Sequence, residues 1–245
     1  MIAARGIGWR VGGATILDDI TLDVGAGELL GIIGPNGAGK SSLVNILSGV
    51  VRPTTGSIEL AGSDVTRLSA TARAGQGLAR SFQTSALFDG LTAAENVRLA
   101  IQGSRPGRLS LVRSASSTAP VERVEGLLDR VRMPGRAGDR AGALSHGDRR
   151  KLELAMGLAS DPRVLLLDEP MAGVSAEDVD GLSSIIAEVR DSGVAVLMVE
   201  HHMHVVLGLA DRVAVLHHGS LLALGTADEV TSDAEVQQAY LGEAL

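Results

Sequence analysis

The sequence predicts an α/β chain with a mostly parallel sheet, on three observations. Leu29–Ile33, Val164–Leu167 and Val194–Val199 are short, wholly apolar runs ending in glycine or in acidic residues, alternating with segments of helical periodicity. After the first run stand Gly34, Pro35, Asn36, Gly37, Ala38, Gly39, Lys40, Ser41 and Ser42, a G-x-x-x-x-G-K-[ST] spacing between strand and helix. Before it, Ile20, Leu22 and Val24 alternate with polar residues, the pattern of an antiparallel layer with one buried face.

In chain order, Ile7 and Trp9, then Thr15–Leu17, then Ile20 to Val24 read as strands of that layer, with Gly12-Gly13 as a turn. Leu29–Ile33 is a fully buried strand, and the helix behind it runs from Ser41 to Leu47 and ends near Gly49. Pro53 to Gly56 is a turn before a strand at Ser57–Leu60, and Gly77 to Gln83 reads as a strand with a polar end. Leu91–Ile101 is expected to be helical, with Thr92 as N-cap and Glu95 at the capping-box spacing. From Gln102 to Pro120 periodicity gives way to Gly, Ser, Arg and Pro, which reads as a mobile surface loop. Helices follow at Val121–Val131 and from about Asp148 to Ala159. Residues 84–160 thus read as a mostly helical subdomain inserted between two parts of an α/β core, 1–83 and 161–245.

The Val164–Leu167 strand presents Asp168 and Glu169 at its C-terminal edge. Ser175 to Arg190 is a helix with Asp178 three residues beyond its cap, and Val194–Val199 is a buried strand ending in Glu200-His201. Strands Val213–Leu216 and Leu221–Leu224 pair around His218-Gly219, and short helices near Asp228 and over Asp233–Leu241 finish the chain.

Composition narrows the chemistry. At 245 residues and 45% hydrophobic content, the chain can bury a substantial core. A net charge of −7 without a dense Lys/Arg block argues against nucleic acid, as do aromatics at 2% of residues, namely Trp9, Phe82, Phe88 and Tyr240. Cysteine is absent, which fits a reducing compartment and leaves no thiolate metal site. No secretory signal is read at the N-terminus, and no apolar run nears the ~18 residues of a membrane span, so a cytoplasmic chain is expected.

The glycine-rich turn is a phosphate cradle. Glycines without Cβ atoms let the backbone turn its N–H groups inward, and the helix that follows adds unpaired N–H groups and a positive dipole end. Lys40 would reach the β- and γ-phosphates, and the Ser41 hydroxyl would ligate Mg²⁺. Of the chain's basic residues only Lys40 and Lys151 are lysines, so a compact ammonium stands where phosphate favours one.

With these residues in place, the chain resembles the ATP-binding subunits of ABC transporters over essentially its full length. Gly34 to Ser41 matches the Walker A loop, Gln83 the Q-loop glutamine and Leu144 to Asp148 the signature motif. Asp168 and Glu169 match the Walker B pair, Ala172 to Ser175 the D-loop and His201 the switch histidine. The resemblance implies a P-loop, RecA-like core that binds ATP with Mg²⁺. Asp168 and Gln83 would help hold the metal, Glu169 would act as general base, and His201 would bond the γ-phosphate rather than join a surface metal cluster. Ser145 and Gly147, at a helix start, would meet the γ-phosphate held by a second ATPase subunit in a head-to-tail dimer. Arg149-Arg150-Lys151 beside them reads as a solvated helix face.

Four positions depart from the family pattern: His146 and Asp148 in the signature, Ser175 in the D-loop and His202 after the switch histidine. The adenine-stacking aromatic aligns with Val11; Trp9, two residues earlier on the same strand face, either supplies the base contact or packs in the core. Gly77 to Phe88, Glu200 to Ala210 and Ala239 to Ala244 look like branched-chain amino acid importer ATPases. The likeness is similar for urea and amide importers and more distant for lipopolysaccharide-export ATPases. The resemblance therefore implies an ATP-hydrolysing motor on the cytoplasmic face of a membrane, bound to permease subunits and serving a solute-binding protein. The alternative from another class is a nucleotide-gated clamp in a soluble assembly. Leu87 and Phe88 lie where the family receives a permease's coupling helix, with Phe88 either at that contact or in the core of the helical subdomain.

Overall fold

The computed structural model describes residues 1–81, 87–104 and 120–241. Its strands are β1 (Ile2–Val11), β2 (Ala14–Val24), β3 (Leu29–Ile33), β4 (Thr55–Leu60), β5 (Ser63–Asp64), β6 (Leu78–Arg80), β7 (Val164–Asp168), β8 (Ala195–Val199), β9 (Arg212–His217) and β10 (Ser220–Gly225). Its helices are α1 (Lys40–Leu47), α2 (Ala70–Ala74), α3 (Ala93–Gly103), α4 (Val121–Arg130), α5 (His146–Leu158), α6 (Ala176–Asp191), α7 (Met203–Leu209), α8 (Ala227–Ser232) and α9 (Ala234–Leu241).

The strands form two sheets. One is antiparallel, in the order β2-β1-β4-β5; the other runs β10-β9-β3-β8-β7-β6 and is parallel except for β10. Side chains on a strand point alternately to its two faces, and the larger sheet uses both. Leu29, Ile33, Leu165, Leu167, Val196 and Met198 join an apolar cluster with Val97, Leu128, Leu152 and Ile185 from α3, α4, α5 and α6. The intervening Leu30, Ile32, Leu166, Leu197 and Val199 join a second cluster with Leu43 and Leu47 of α1 and with Ile7, Ile20 and Leu22 of the antiparallel layer. The helices between 93 and 158 therefore share one continuous apolar cluster with the sheet.

Several local features differ from the sequence reading. The three short N-terminal strands are two long ones, because the break in alternation at Asp18-Asp19 is absorbed by register shifts, with Asp19 at φ 50°. Helix α5 begins at His146, two residues before the expected start, because extended Ser145 accepts the Asp148 N–H at 3.1 Å. The Ser175 hydroxyl precedes α6 but donates to Asp178 Oδ2 at 2.9 Å instead of accepting a backbone N–H. The Thr92/Glu95 capping box forms as its spacing implied. The short helices α2 and α7 carry too little apolar periodicity to be read. Arg73 in α2 is fully buried and donates to Ile46 O and Leu47 O at 2.6 and 2.7 Å, closing the C-terminus of α1 with a cation. Of the loop expected over 102–120, residues 105–119 lie outside the described residues, as do Phe82, Gln83 and 242–245.

Candidate active site

The cradle lies at the C-terminal end of β3, an inner strand flanked by β8 and β9, where open α/β sheets place their ligands. Gly34 turns the chain there with φ 153°, and a Cβ on it would stand 2.1 Å from Leu216 O. Gly39, at φ 102°, is the N-cap of α1 and brings no side chain to its N–H groups; a Cβ there would meet Leu17 Cδ2 at 2.6 Å. Backbone packing thus excludes a larger residue at Gly34, and the N-terminus of α1 has no side-chain cap where an anion would sit. Lys40 is 6% exposed and folds over the loop, with Nζ donating to Gly34 O at 2.5 Å and Pro35 O at 3.0 Å.

Strands β3, β8 and β7 end level, with Ile32 paired to Val199 and Val199 to Asp168, so the acidic residues emerge at the same edge as the cradle. Asp168 is 2% exposed and follows Val164 and Leu166 in parity, placing it on the α1 face. Its Oδ2 accepts from Arg80 Nη2 at 3.1 Å, while Arg80 Nη1 donates to Asn45 Oδ1 at 2.7 Å and Ser48 Oγ at 2.9 Å, both on the C-terminal side of α1. Burial pushes the Asp168 carboxyl above its ordinary range, Arg80 opposes that shift, and Glu169 and Glu200 add to it. Among the described residues nothing hydrogen-bonds Asp168 Oδ1, although the atom is buried. A buried carboxylate oxygen without a donor fits the coordination shell of a hard cation such as Mg²⁺.

Glu169 departs from the strand in a left-handed conformation, φ 51°, with its N–H donated to Val199 O at 2.9 Å. Such a backbone costs a non-glycine residue about 1–3 kcal/mol. It brings Glu169 Oε1 to 2.8 Å from His201 Nε2, so a carboxylate and an imidazole from adjacent strand ends face each other. The pair can accept and hold a proton beside the cradle mouth.

Two residues here were passed over in the sequence. Arg80 stood unremarked in the Gly77 to Gln83 strand, and its parity with buried Leu78 was the available signal. Glu200 reads in the sequence as a strand end, yet it is 2% exposed and accepts from Met171 N–H at 2.7 Å and His201 N–H at 3.0 Å, with His202 Nδ1 at 3.1 Å. The apolar run before it gave a sign of that burial.

The departures from the family pattern acquire partners. Asp148 pairs with Arg136 at 2.7 Å and Lys151 at 3.3 Å, Lys151 lies 4.0 Å from Asp178, and Asp178 accepts from Ser175. The signature segment and the D-loop of one chain are thereby linked. The solvated face expected at Arg149-Arg150-Lys151 is corrected: these side chains are 21, 18 and 14% exposed, because α5 turns them toward neighbouring segments. Arg149 pairs with Asp89 at 2.8 Å, and Arg150 pairs with Glu153 at 2.8 Å and reaches Ala172 O at 3.4 Å. Ser145 is exposed and Gly147 buried, its Cα facing Asp178 so closely that a Cβ would lie 2.7 Å from Oδ2. Trp9 is half-buried against the second apolar cluster, and Val11 is 48% exposed. Phe88 is 56% exposed, which excludes it from the core, while Leu87 packs against the first apolar cluster. No group of three or more His, Asp or Glu among the described residues is placed to hold a metal ion, so the His201 to His204 segment forms no such cluster.

Comparison with known proteins agrees with this geometry. Residues 17–172 match the ABC transporter family model, and residues 220–245 match that of the branched-chain amino acid ATP-binding cassette transporter. The chain is 35% identical to the high-affinity branched-chain amino acid transport ATP-binding protein LivG of Salmonella typhimurium, covering 100% of this chain and 98% of that one. It is 34% identical to the corresponding protein BraF of Pseudomonas aeruginosa, with the same coverage. The lipopolysaccharide export ATP-binding protein LptB of Acidithiobacillus ferridurans is 36% identical over 93% of this chain and 91% of its own. The percentage identities are alike, but the export relative is matched over less of both chains, and the C-terminal match at 220–245 also favours the branched-chain branch. A crystal structure of an ATP-binding cassette of an ABC transporter in its ADP conformation superposes with a TM-score of 0.87 at 26% identity, covering 99% of both chains. The chain belongs to the ABC transporter ATP-binding family.

Proposed function

We propose that the chain is the ATP-hydrolysing motor of an importer for branched-chain amino acids or related small polar solutes, docked on permease subunits at the cytoplasmic face of a membrane. No helix among the described residues is long and apolar enough to cross a membrane. The C-terminal match at 220–245 supports the substrate class, together with the LivG and BraF relatives.

Gly34, Pro35, Asn36, Gly37, Ala38, Gly39, Lys40, Ser41 and Ser42 hold the phosphates, with Lys40 exchanging its loop carbonyls for phosphate oxygens. Ser41 and Asp168 would hold Mg²⁺, with Gln83, which lies outside the described residues, as a third ligand. When bound, the ion neutralises charge on the β- and γ-phosphates. Glu169 takes the proton of the attacking water, and His201 orients Glu169 and bonds the γ-phosphate. Ser145 and Gly147 serve the nucleotide of a second copy or a related subunit. Residues 84–160 act as the signature subdomain, with Phe88 at the permease contact.

The observation that carries the reading is the 2.8 Å contact between Glu169 and His201 at the strand ends beside the cradle. Glu169→Gln should retain ATP binding, lose roughly 100-fold or more in turnover and accumulate an ATP-bound dimer. Lys40→Ala should fail earlier, at nucleotide binding. Wild-type ATPase in Glu169→Gln would exclude Glu169 as the base.

A further inference from the structure

We propose that Glu200 is a positioning residue for hydrolysis, its single carboxylate fixing both the turn after Glu169 and the segment carrying His201, and so setting their 2.8 Å contact. The inference rests on reading Glu169 and His201 as the reacting pair.

Sheet pairing between β7 and β8 stops at Asp168 and Val199, and after the bond from the Glu169 N–H to Val199 O at 2.9 Å both segments leave the ladder. Glu200 rejoins them. Its Oε1 accepts the Met171 N–H at 2.7 Å; its Oε2 accepts the His201 N–H at 3.0 Å, lies 3.5 Å from the His202 N–H and faces His202 Nδ1 at 3.1 Å. The backbone partners are all N–H donors, and a buried carboxylate is tolerated where donors surround it. By strand parity Glu200 follows Val196 and Met198 to the helix-packed face, opposite the Asp168 side, and its Met171 partner lies in that cluster. Its hydrogen bonds run to the supports of Glu169 and His201.

His202 completes the arrangement. An aspartate there would set a second carboxylate against Glu200, whereas an imidazole can donate to it. A Glu200→Gln exchange keeps size and shape but turns an NH₂ group toward N–H donors on one side, releasing either Met171 or the histidine segment.

In the full-length chain, Glu200→Gln should lower kcat for ATP roughly ten- to hundredfold through misplacement of the pair. KM and the Kd for a fluorescent ATP analogue should stay within about twofold, because the cradle is built from β3 and α1. Wild-type kcat in the folded variant would overturn the proposal, as would a parallel loss of kcat, nucleotide affinity and melting temperature. A second pair of variants avoids the buried position, since the His202 side chain is 49% exposed. His202→Asp should lower kcat with KM unchanged, and His202→Asn, which restores a donor, should recover most of it; equal kcat in the two would also overturn the proposal. Glu169→Gln and His201→Ala run alongside. Wild-type turnover in either removes the underlying reading and the inference with it, whereas loss in both with full activity in Glu200→Gln removes only the positioning role.

Discussion

Replacing Arg80 by methionine should expose how far that guanidinium offsets the cost of burying an ionised Asp168. The Arg80 and Asp168 side chains are 11 and 1% exposed, and their contact is 3.1 Å. Methionine fills much of the same volume but leaves the carboxylate without its cation and Asn45 Oδ1 and Ser48 Oγ without a donor. Breaking one half of a buried pair costs about 3–5 kcal/mol. At about 2–4 °C per kcal/mol for a chain of this size, the melting temperature should fall by roughly 10 °C. In an Asp168→Asn background the guanidinium's bonds to the uncharged Asn45 and Ser48 acceptors are still lost, at about 1–3 kcal/mol, so a double-mutant cycle should give a coupling of about 2 kcal/mol. The pH dependence has a definite sign. Burial holds the folded Asp168 carboxyl above its ordinary 3.8, so the fold binds that proton more tightly than the unfolded chain does. The penalty is absent below that range and grows as pH rises through the raised value, so the Arg80→Met deficit should be larger at neutral than at acid pH. Thermal unfolding of the nucleotide-free protein is the assay. A shift under about 2 °C, or the same shift in both backgrounds, would refute the reasoning.

Phe88→Asp should abolish co-purification with the permease while leaving the melting temperature and ATP affinity of the isolated subunit nearly unchanged, because a side chain 56% exposed contributes little to folding. A large melting shift would argue against a docking role. Trp9→Ala should weaken ATP binding by about 1 kcal/mol if the indole contacts adenine, and its fluorescence should then respond to ATP. Unchanged affinity and a silent indole would leave Trp9 to its packing against the antiparallel layer. Glu95 and Glu229 are held below the usual 4.5, chiefly by the backbone N–H groups of Thr92 and Thr226. Their stabilising contribution is therefore present above that value and lost as pH falls through the lowered pKa. Glu95→Gln should flatten the acid limb of a stability-versus-pH curve; an unchanged limb would show that the α3 cap does not contribute.

The cradle and the acidic strand edge were legible because glycine spacing and an apolar run of four leave few alternative folds for those residues. Gly34 and Gly39 announce themselves by type, since both hold positive φ and a Cβ on Gly34 would run into the Leu216 carbonyl. Arg80 and Glu200 were harder to read. Both are charged residues at the last position of an apolar run or just past it, where sequence cannot tell a solvated strand end from a buried group with several partners. The Arg149 to Lys151 run misled for a related reason: its partners Asp89 and Ala172 are remote in sequence, so the burial of that face depends on tertiary packing alone. The β2 bulge hid one long strand as two because Asp18-Asp19 interrupts the alternation that identifies a strand.

The alternating use of the two faces of the central sheet also bears on how this chain can change over evolutionary time. Asp168 meets Arg80 and α1 only because an even number of steps separates it from Val164, and Glu200 reaches Met171 by the opposite parity along β8. One residue inserted or deleted within either five-residue strand would turn every later side chain of that strand to the other face. The Asp168 carboxylate would then point among the helices, and the Glu200 carboxylate would point toward the α1 face. Length variation that keeps the site is thus confined to the connections between strands, and within the strands relatives should differ by substitution only.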